Sequence, residues 1–495
     1  MVVIPFGVIG LILIHIACLG YWGVTLLRYA SRLPACQVAT LAGLGFTLFG
    51  LEMGLLGHLA ALTRPVLLLS GLIMAVGLLR PVSQRRALLA AFPRRLLAIL
   101  REDRLLAFSC VIFLLCIFLA GMRPPQARDE IEYHWAAPLF WAQAGRWETS
   151  PFRLTNGPAL LEMIYTFSAV FSSPAAAHWT HSLLLLVLLL GAASLAQAIG
   201  GSRLAAIAAC LSIPVLTGQA SIAYNDVGAA ALIVCAYAAL LCPRRNQEGR
   251  VTARWAGPAA AGLLLAGALS IKPLTAAALP VACCLAAFPP GERQRAPISA
   301  SVRAALVLLL PAALFLGFWF WHTRTLTGKI WDNSGVHLAR TPADPMWRSG
   351  AAAGRIPSLR DMAVLPFVPI LSSIFGQREP YGGRTGLLLL VYTPLGLAAL
   401  RHRTDAERQR AHWLIAAAVV YFLLLGPVAI KTRFHLFVWT ACACLAAVAY
   451  QDLLRNRASA VSRIGLGGFY LCLWIGMADA GRKLLGAFLL KHASE

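Results

Sequence analysis

Residues 105–121 read LLAFSCVIFLLCIFLAG, and residues 122–147 continue MRPPQARDEIEYHWAAPLFWAQAGRW. The first run is apolar and long enough to sit in a bilayer. The second places Asp129, Glu130 and Glu132 close together, just past the end of that run. Charge at a membrane boundary is costly to desolvate, so the cluster is either an ordinary solvated loop helix or a working site.

The rest of the chain fixes the setting. Of 495 residues, 59% are hydrophobic and only 13% are charged, and mean hydropathy is +0.72. That balance leaves too little polar surface to cover a soluble fold. Apolar runs near the spanning length of about 20 residues recur from end to end. The class is an all-α polytopic membrane protein, a helical bundle of about 12–14 transmembrane helices with amphipathic helices on its outer face. Candidate spans are 2–27, 36–62, 65–80, 104–121, 178–199, 203–219, 224–242, 256–271, 273–288, 304–322, 386–400, 413–430, 434–452 and 462–479.

A net charge of +23 would suggest nucleic acid as the partner of a soluble protein. Here the arginines collect in short loops, and no basic stretch is interleaved with aromatics, so nucleic acid is not indicated. Membrane lipids are the expected partner of those charges. The twelve cysteines form no CxxC pair and no zinc spacing, and most sit inside apolar runs. The N-terminal MVVIPFGVIGLILIHIACLG lacks a basic leader and reads as a retained first helix.

Arginine placement orients the helices. RPVSQRRALLAAFPRRLLAILREDR (80–104) is the most basic stretch and is expected to be cytoplasmic. Alternating from it, the arginine-rich loops 242–255, 289–303, 401–413 and 451–463 also fall inside. Residues 122–177, the turn before Asp226, the segment 323–385 and the turn 431–435 then share the opposite, outer face. The expected location is the inner (cytoplasmic) membrane, with the site facing the periplasm or exterior.

On that face, α-helical spacing puts Asp129 above Glu132 and Tyr133, and Glu130 above His134. Carboxylates so close are expected to raise at least one pKa towards the range of a base. Asp226 opens an apolar helix in SIAYNDVGAA, as a dipole-favoured residue or a functional one. Lys272 interrupts GALSIKPLTAAALP directly before Pro273, as a snorkelling lysine or a ligand. Lys431 and Arg433 precede another span in AIKTRFHLFVW. Glu162, in NGPALLEMIYTFSAVF, is expected on an amphipathic helix along the outer interface. Carboxylates and cations from separate segments suit transfer from a phosphate-bearing donor: a base takes the acceptor proton and a cation steadies the departing phosphate.

Here the sequence resembles a known family. DEIEYHWAAPLFWAQAGRW followed by NGPALLEMIYTFSAVFSSPAAAHWTHSLLLL is similar to the first outer loop of GT-C glycosyltransferases. The likeness is to the branch with protein O-mannosyltransferases and the lipid A aminoarabinose transferase. YNDVG (224–228), LSIKPLTAAALP and TRFHLFVW resemble the family's later acidic residue, lysine-bearing break and RY-LLP segment. LTGKIWDNSG (326–335) is faintly similar to its TGNP segment. Phe434 and His435 depart from the usual Tyr and Leu, and Lys329-Ile330 from Asn-Pro.

The resemblance, over about residues 104–450, implies an inverting glycosyltransferase using a polyprenyl-phosphate monosaccharide. Asp129 would be the general base, with Glu130 as its support or substitute. Asp226 would position the acceptor or hold a divalent metal; no other cofactor is implied. Lys272, Lys431 and Arg433, with Arg378 or Arg384, would contact the donor, and Tyr133, His134 and Glu162 would line the substrate site. The acceptor, whether protein, lipid or glycan, stays open. The expected organisation is extra helices and a basic loop (1–100), a catalytic core (101–322), an outer segment (323–385) and C-terminal helices (386–495). A transporter or lipid flippase, or a polysaccharide ligase or polymerase, is the alternative.

Overall fold

The computed structural model describes residues 3–27, 34–79, 101–152, 155–242, 252–290, 297–330, 384–426 and 431–489. Arg378 and most of the expected segment 323–385 lie outside the described residues. So does most of the basic loop 80–104.

Every regular element among the described residues is helical. In chain order they are α1 (Val3–Leu26), α2 (Pro34–His58), α3 (Arg64–Leu79), α4 (Arg104–Ala120), a π-helical turn (Glu130–His134) and α5 (Ala136–Ala144). Then come α6 (Leu160–Val170), α7 (Pro174–Ala198), α8 (Arg203–Leu211), α9 (Pro214–Ala220), α10 (Asp226–Leu241) and α11 (Thr252–Ile271). A 3-10 turn (Pro273–Ala278) leads into α12 (Leu279–Ala287), α13 (Ile298–Thr327), α14 (Leu387–Ala399) and α15 (Asp405–Leu425). A last 3-10 turn (Thr432–His435) opens α16 (Leu436–Arg455), and α17 (Ala460–Leu489) follows.

Among the described residues six helices are long and apolar enough to cross a membrane, and seven shorter apolar helices of 10–17 residues accompany them. The expected span 203–219 is broken: α8 and α9 meet at 79°, with Pro214 opening the second piece. Proline ends an α-helical ladder because it supplies no N–H and crowds the preceding turn. The expected span 273–288 is likewise a 3-10 turn followed by a short helix.

The centre of the bundle is α10, in which every residue from Asp226 to Leu241 is buried. It packs against α7, α11 and α2, and its many alanines let neighbouring backbones come close. Glycine does the same between α1 and α2. A Cβ on Gly20 would lie 2.1 Å from the Leu41 carbonyl oxygen, and one on Gly45 2.1 Å from that of Ile16. Polar bonds add to the packing of these first helices. Ser70 on α3 donates to Glu52 on α2 and lies 3.2 Å from Nε2 of His15 on α1. At the other end of the bundle Asp103 caps α4, accepting from the Leu106 amide at 3.0 Å and from the Tyr450 and Tyr470 hydroxyls.

One placement differs from expectation. Helix α6, which carries Glu162, does not lie along an interface: all its residues, Leu160 to Val170, are buried. It packs against α5, α2 and α7, so its polar Glu162, Thr166 and Ser168 face protein on every side.

Candidate active site

Chain breaks present the site residues. Between α4 and α5 the backbone makes a π turn, closed by the Trp135 N–H to the Glu130 carbonyl at 2.8 Å. Pro138, in the first turn of α5, has no N–H to return to the His134 carbonyl, which favours an interruption there. A π turn holds one more residue per turn than the α spacing, which sends neighbouring side chains apart. Lys272 lies where α11 stops. The following Pro273 holds it extended, with φ −152° and ψ 103°. Asp226 is the first residue of α10, where the helix dipole favours a carboxylate. Lys431 and Arg433 come from the turn that opens α16.

These breaks converge. Arg433 Nη2 donates to Asp129 Oδ2 at 2.7 Å, and Arg433 Nε stands 3.6 Å from Asp226 Oδ2. Lys272 Nζ donates to Asp226 Oδ1 and lies 3.6 Å from the centroid of the Phe434 ring. Tyr224 packs beneath the Arg433 guanidinium, 5.4 Å away, and its hydroxyl accepts the Asp129 N–H at 3.3 Å. Tyr133 is half-buried in the same charged environment, and burial pushes its hydroxyl well above the ordinary phenol range. Lys431 makes no ion pair among the described residues, although the charges of Asp129 and Asp226 act on it. Burial and the neighbouring Arg433 lower its pKa from the ordinary value. Asp129, Asp226, Lys272, Lys431 and Arg433 thus come together from four stretches of the chain. Three cations against two carboxylates leave a positive excess.

Glu130 sits elsewhere. Its residue exposure is 0%. Oε1 accepts from the Ala223 N–H at 2.9 Å and binds His178 Nε2; Oε2 accepts from the amides of Gln126 at 3.0 Å and Ala127 at 3.3 Å. His178 Nδ1 in turn donates to the Gly121 carbonyl at 2.9 Å. All of Glu130's acceptor capacity is spent: Oε1 joins the π turn to α7 and to the loop before α10, and Oε2 holds the stretch that leads into the π turn. As a substitute base it has no free lone pair, and the same burial keeps an acceptor from reaching it.

The expected raised carboxylate is also corrected. Burial works to raise both Asp129 and Glu130, yet both lie below their ordinary values. The charges of Arg433 and His134 outweigh burial at Asp129, as His178 and backbone N–H groups do at Glu130. The carboxylates do not crowd one another because each is bonded to its own partner, Asp129 to Arg433 and Glu130 to His178. Glu132 follows the same rule, pairing with Arg128 at 2.7 Å.

His134 Nδ1 lies 2.8 Å from Glu162 Oε1, a buried pair that ties the π turn to α6. The His134 ring lies between those of Tyr133 and Tyr224, at 4.1 and 5.2 Å. Arg384 goes to the last helix instead, pairing with Asp479 at 3.2 Å. A metal at Asp226 finds no support in the donor set. The Asp226 oxygens face two cations, and among the described residues no three His, Cys, Asp or Glu side chains could hold an ion.

Tyr224, Phe434 and His178 belong to this region; from the sequence alone Tyr224 and His178 have no role, and Phe434 is marked only as a departure from the family's tyrosine. Tyr224 and Phe434 stand next to marked residues, and aromatic character beside a charge at a helix break was the available signal. For His178, 48 positions from Glu130, no local pattern existed.

No protein-family model matches the chain, and no curated protein matches it. Among solved structures it is similar to the crystal structure of ArnT from Cupriavidus metallidurans bound to undecaprenyl phosphate. Identity is 17%, covering 77% of this chain and 75% of that one, with a TM-score of 0.45.

Proposed function

We propose that the protein is an inverting GT-C glycosyltransferase that moves a monosaccharide from a polyprenyl-phosphate donor to an acceptor on the outer face of the membrane. The observation that carries this reading is the Arg433 guanidinium set between Asp129 and Asp226, with Lys272 and Lys431 beside it. An excess of cations at the edge of an apolar bundle suits a lipid phosphate, while Asp129 offers a carboxylate next to where that phosphate would sit. The order of the motifs along the chain and the arginine pattern of the loops support the same assignment.

In the reaction the acceptor oxygen forms a bond to the sugar C1 as the bond from C1 to the phosphate oxygen breaks. The acceptor proton passes to Asp129. The bond electrons leave with polyprenyl phosphate, whose added charge Arg433, Lys272 and Lys431 stabilise. Such cations accelerate transfer only to the extent that their bonds strengthen as that charge develops. Glu130 acts as a positioning residue, holding the π turn that presents Asp129.

A lipid-phosphate flippase is the second reading. The bend between α8 and α9 and the break at Lys272 favour it, since transporters build sites from interrupted helices. Purified protein incubated with a labelled polyprenyl-phosphate sugar and candidate acceptors tests the choice. Transfer with release of free polyprenyl phosphate is expected; donor movement across vesicles without any release would support the flippase instead.

A further inference from the structure

The Asp129 carboxylate is held by the same guanidinium that a donor phosphate would need. Arg433 presents two donors on one edge, Nε and Nη2. Nη2 is taken by Asp129 at 2.7 Å. Nε is buried, makes no hydrogen bond among the described residues, and is 3.6 Å from Asp226, beyond bonding distance. A phosphate prefers to accept both donors of such an edge in parallel. Nη2 carries two N–H bonds, so a phosphate at this edge would share that nitrogen with Asp129, two anions side by side on one guanidinium.

The two carboxylates are not equally replaceable. Asp226 has a side-chain exposure of 3% and is bonded to Lys272; Asp129 is 22% exposed and, among the described residues, has no other cation at bonding distance. Separating a buried ion pair costs several kcal/mol, whereas a partly exposed one is cheap to break. An arriving anion therefore displaces Asp129, not Asp226.

We propose that the donor phosphate and Asp129 compete for Arg433, so that donor binding releases Asp129 to serve as base. This rests on the transferase reading above. It adds an order of events: with the donor absent, Asp129 is held as the counter-ion of Arg433, and an acceptor that arrives first finds no free base. Arg433 then both holds the phosphate and reports its presence to the carboxylate.

A binding cycle tests it, with a short-chain polyprenyl phosphate as probe and the full-length protein in detergent. Affinity is measured for wild type, Asp129→Asn, Arg433→Gln and the double variant. Competition predicts that Asp129→Asn binds the probe about tenfold more tightly, the order expected from freeing one charged hydrogen bond. In the Arg433→Gln background the same change should bring no gain. An equal gain in both backgrounds would mean simple repulsion between carboxylate and phosphate, and no gain in either would mean no competition; both overturn the proposal. Should Arg433→Gln fold poorly, Arg433→Lys replaces it, keeping the charge but losing the two-donor edge, and the gain should shrink to a small fraction. Wild-type transfer is assayed alongside. Coupling without transfer removes the function and leaves the competition standing, while transfer without coupling removes only the competition.

Discussion

Lys272 stands 3.6 Å over the centre of the Phe434 ring while its ammonium group is bonded to Asp226. The two residues are far apart in sequence, each next to a break in a helix, and meet face to face at the end of the bundle. The phenyl ring occupies the position where the resembling family carries tyrosine. A phenyl face without a hydroxyl serves a lysine well, since cation–π attraction comes from the ring and grows when the site is desolvated.

Phe434→Leu should weaken polyprenyl phosphate binding by a few-fold, through the loss of about 0.5–2 kcal/mol of cation–π attraction, while Phe434→Tyr stays close to wild type. Titration of both variants with the lipid phosphate checks this. Lys272→Met is more severe, because it leaves Asp226 charged and buried; breaking such a pair costs on the order of 3–5 kcal/mol. Adding Asp226→Asn to Lys272→Met should recover most thermal stability in detergent without restoring transfer. If the double variant is no more stable than the single, Lys272 is not compensating Asp226.

The neighbours Asp129 and Glu130 should fail in opposite ways. Asp129→Asn keeps shape but cannot take a proton, so transfer should fall on the order of a hundred- to ten-thousand-fold. Its stability should change by no more than about 1 kcal/mol, because the ion pair it loses is partly exposed. Glu130→Gln leaves His178 and three backbone donors mismatched in a buried site, and a loss of about 3–5 kcal/mol is expected. Comparing melting temperature with single-turnover rate separates the roles. A stable but inactive Glu130→Gln protein would return Glu130 to the chemistry.

Acid sensitivity follows from the same carboxylate. The pKa of Glu130 in the folded protein is below its ordinary 4.5. Between the two values the unfolded chain binds more protons than the folded one, so stability rises with pH there. The contribution is complete above 4.5 and is lost as pH falls through the folded value. The apparent melting temperature should decline on acidification below that ordinary value, and Glu130→Gln should flatten part of the decline. A variant curve parallel to wild type would show that this carboxylate does not carry the acid limb.

Asp129, Asp226, Lys272 and Arg433 were legible as a group because each breaks an apolar pattern at a helix end, and arginine placement puts those ends on one face. The difference between Asp129 and Glu130 was not. It depends on a single π turn, and α-helical spacing paired Glu130 with His134, whereas the fold pairs it with His178. Glu162 gave an amphipathic signal, but periodicity cannot tell a helix facing water from one whose polar residues face other protein. Arg384 read as a spare outer cation because its partner, Asp479, is 95 positions further along the chain.

The final prediction concerns sidedness, on which the choice of donor rests. The turn after α5 is fixed to the last turn of α2 and the loop that follows it by the Trp147 N–H to the Gly57 carbonyl and the Leu62 N–H to the Gly145 carbonyl, each at 2.9 Å. Whatever face Gln143 occupies, the π turn and the Asp129 cluster are therefore close to it. From arginine placement we expect that face to be external and the loop containing Arg86 to be cytoplasmic. Cysteines placed at Arg86 and Gln143 can be probed in intact cells with an impermeant thiol reagent, after the exposed native Cys116 and Cys284 are replaced. Labelling at position 143 and not at 86 is expected. The reverse would turn the site inward, where nucleotide sugars are available, and the lipid-linked donor would lose its reason.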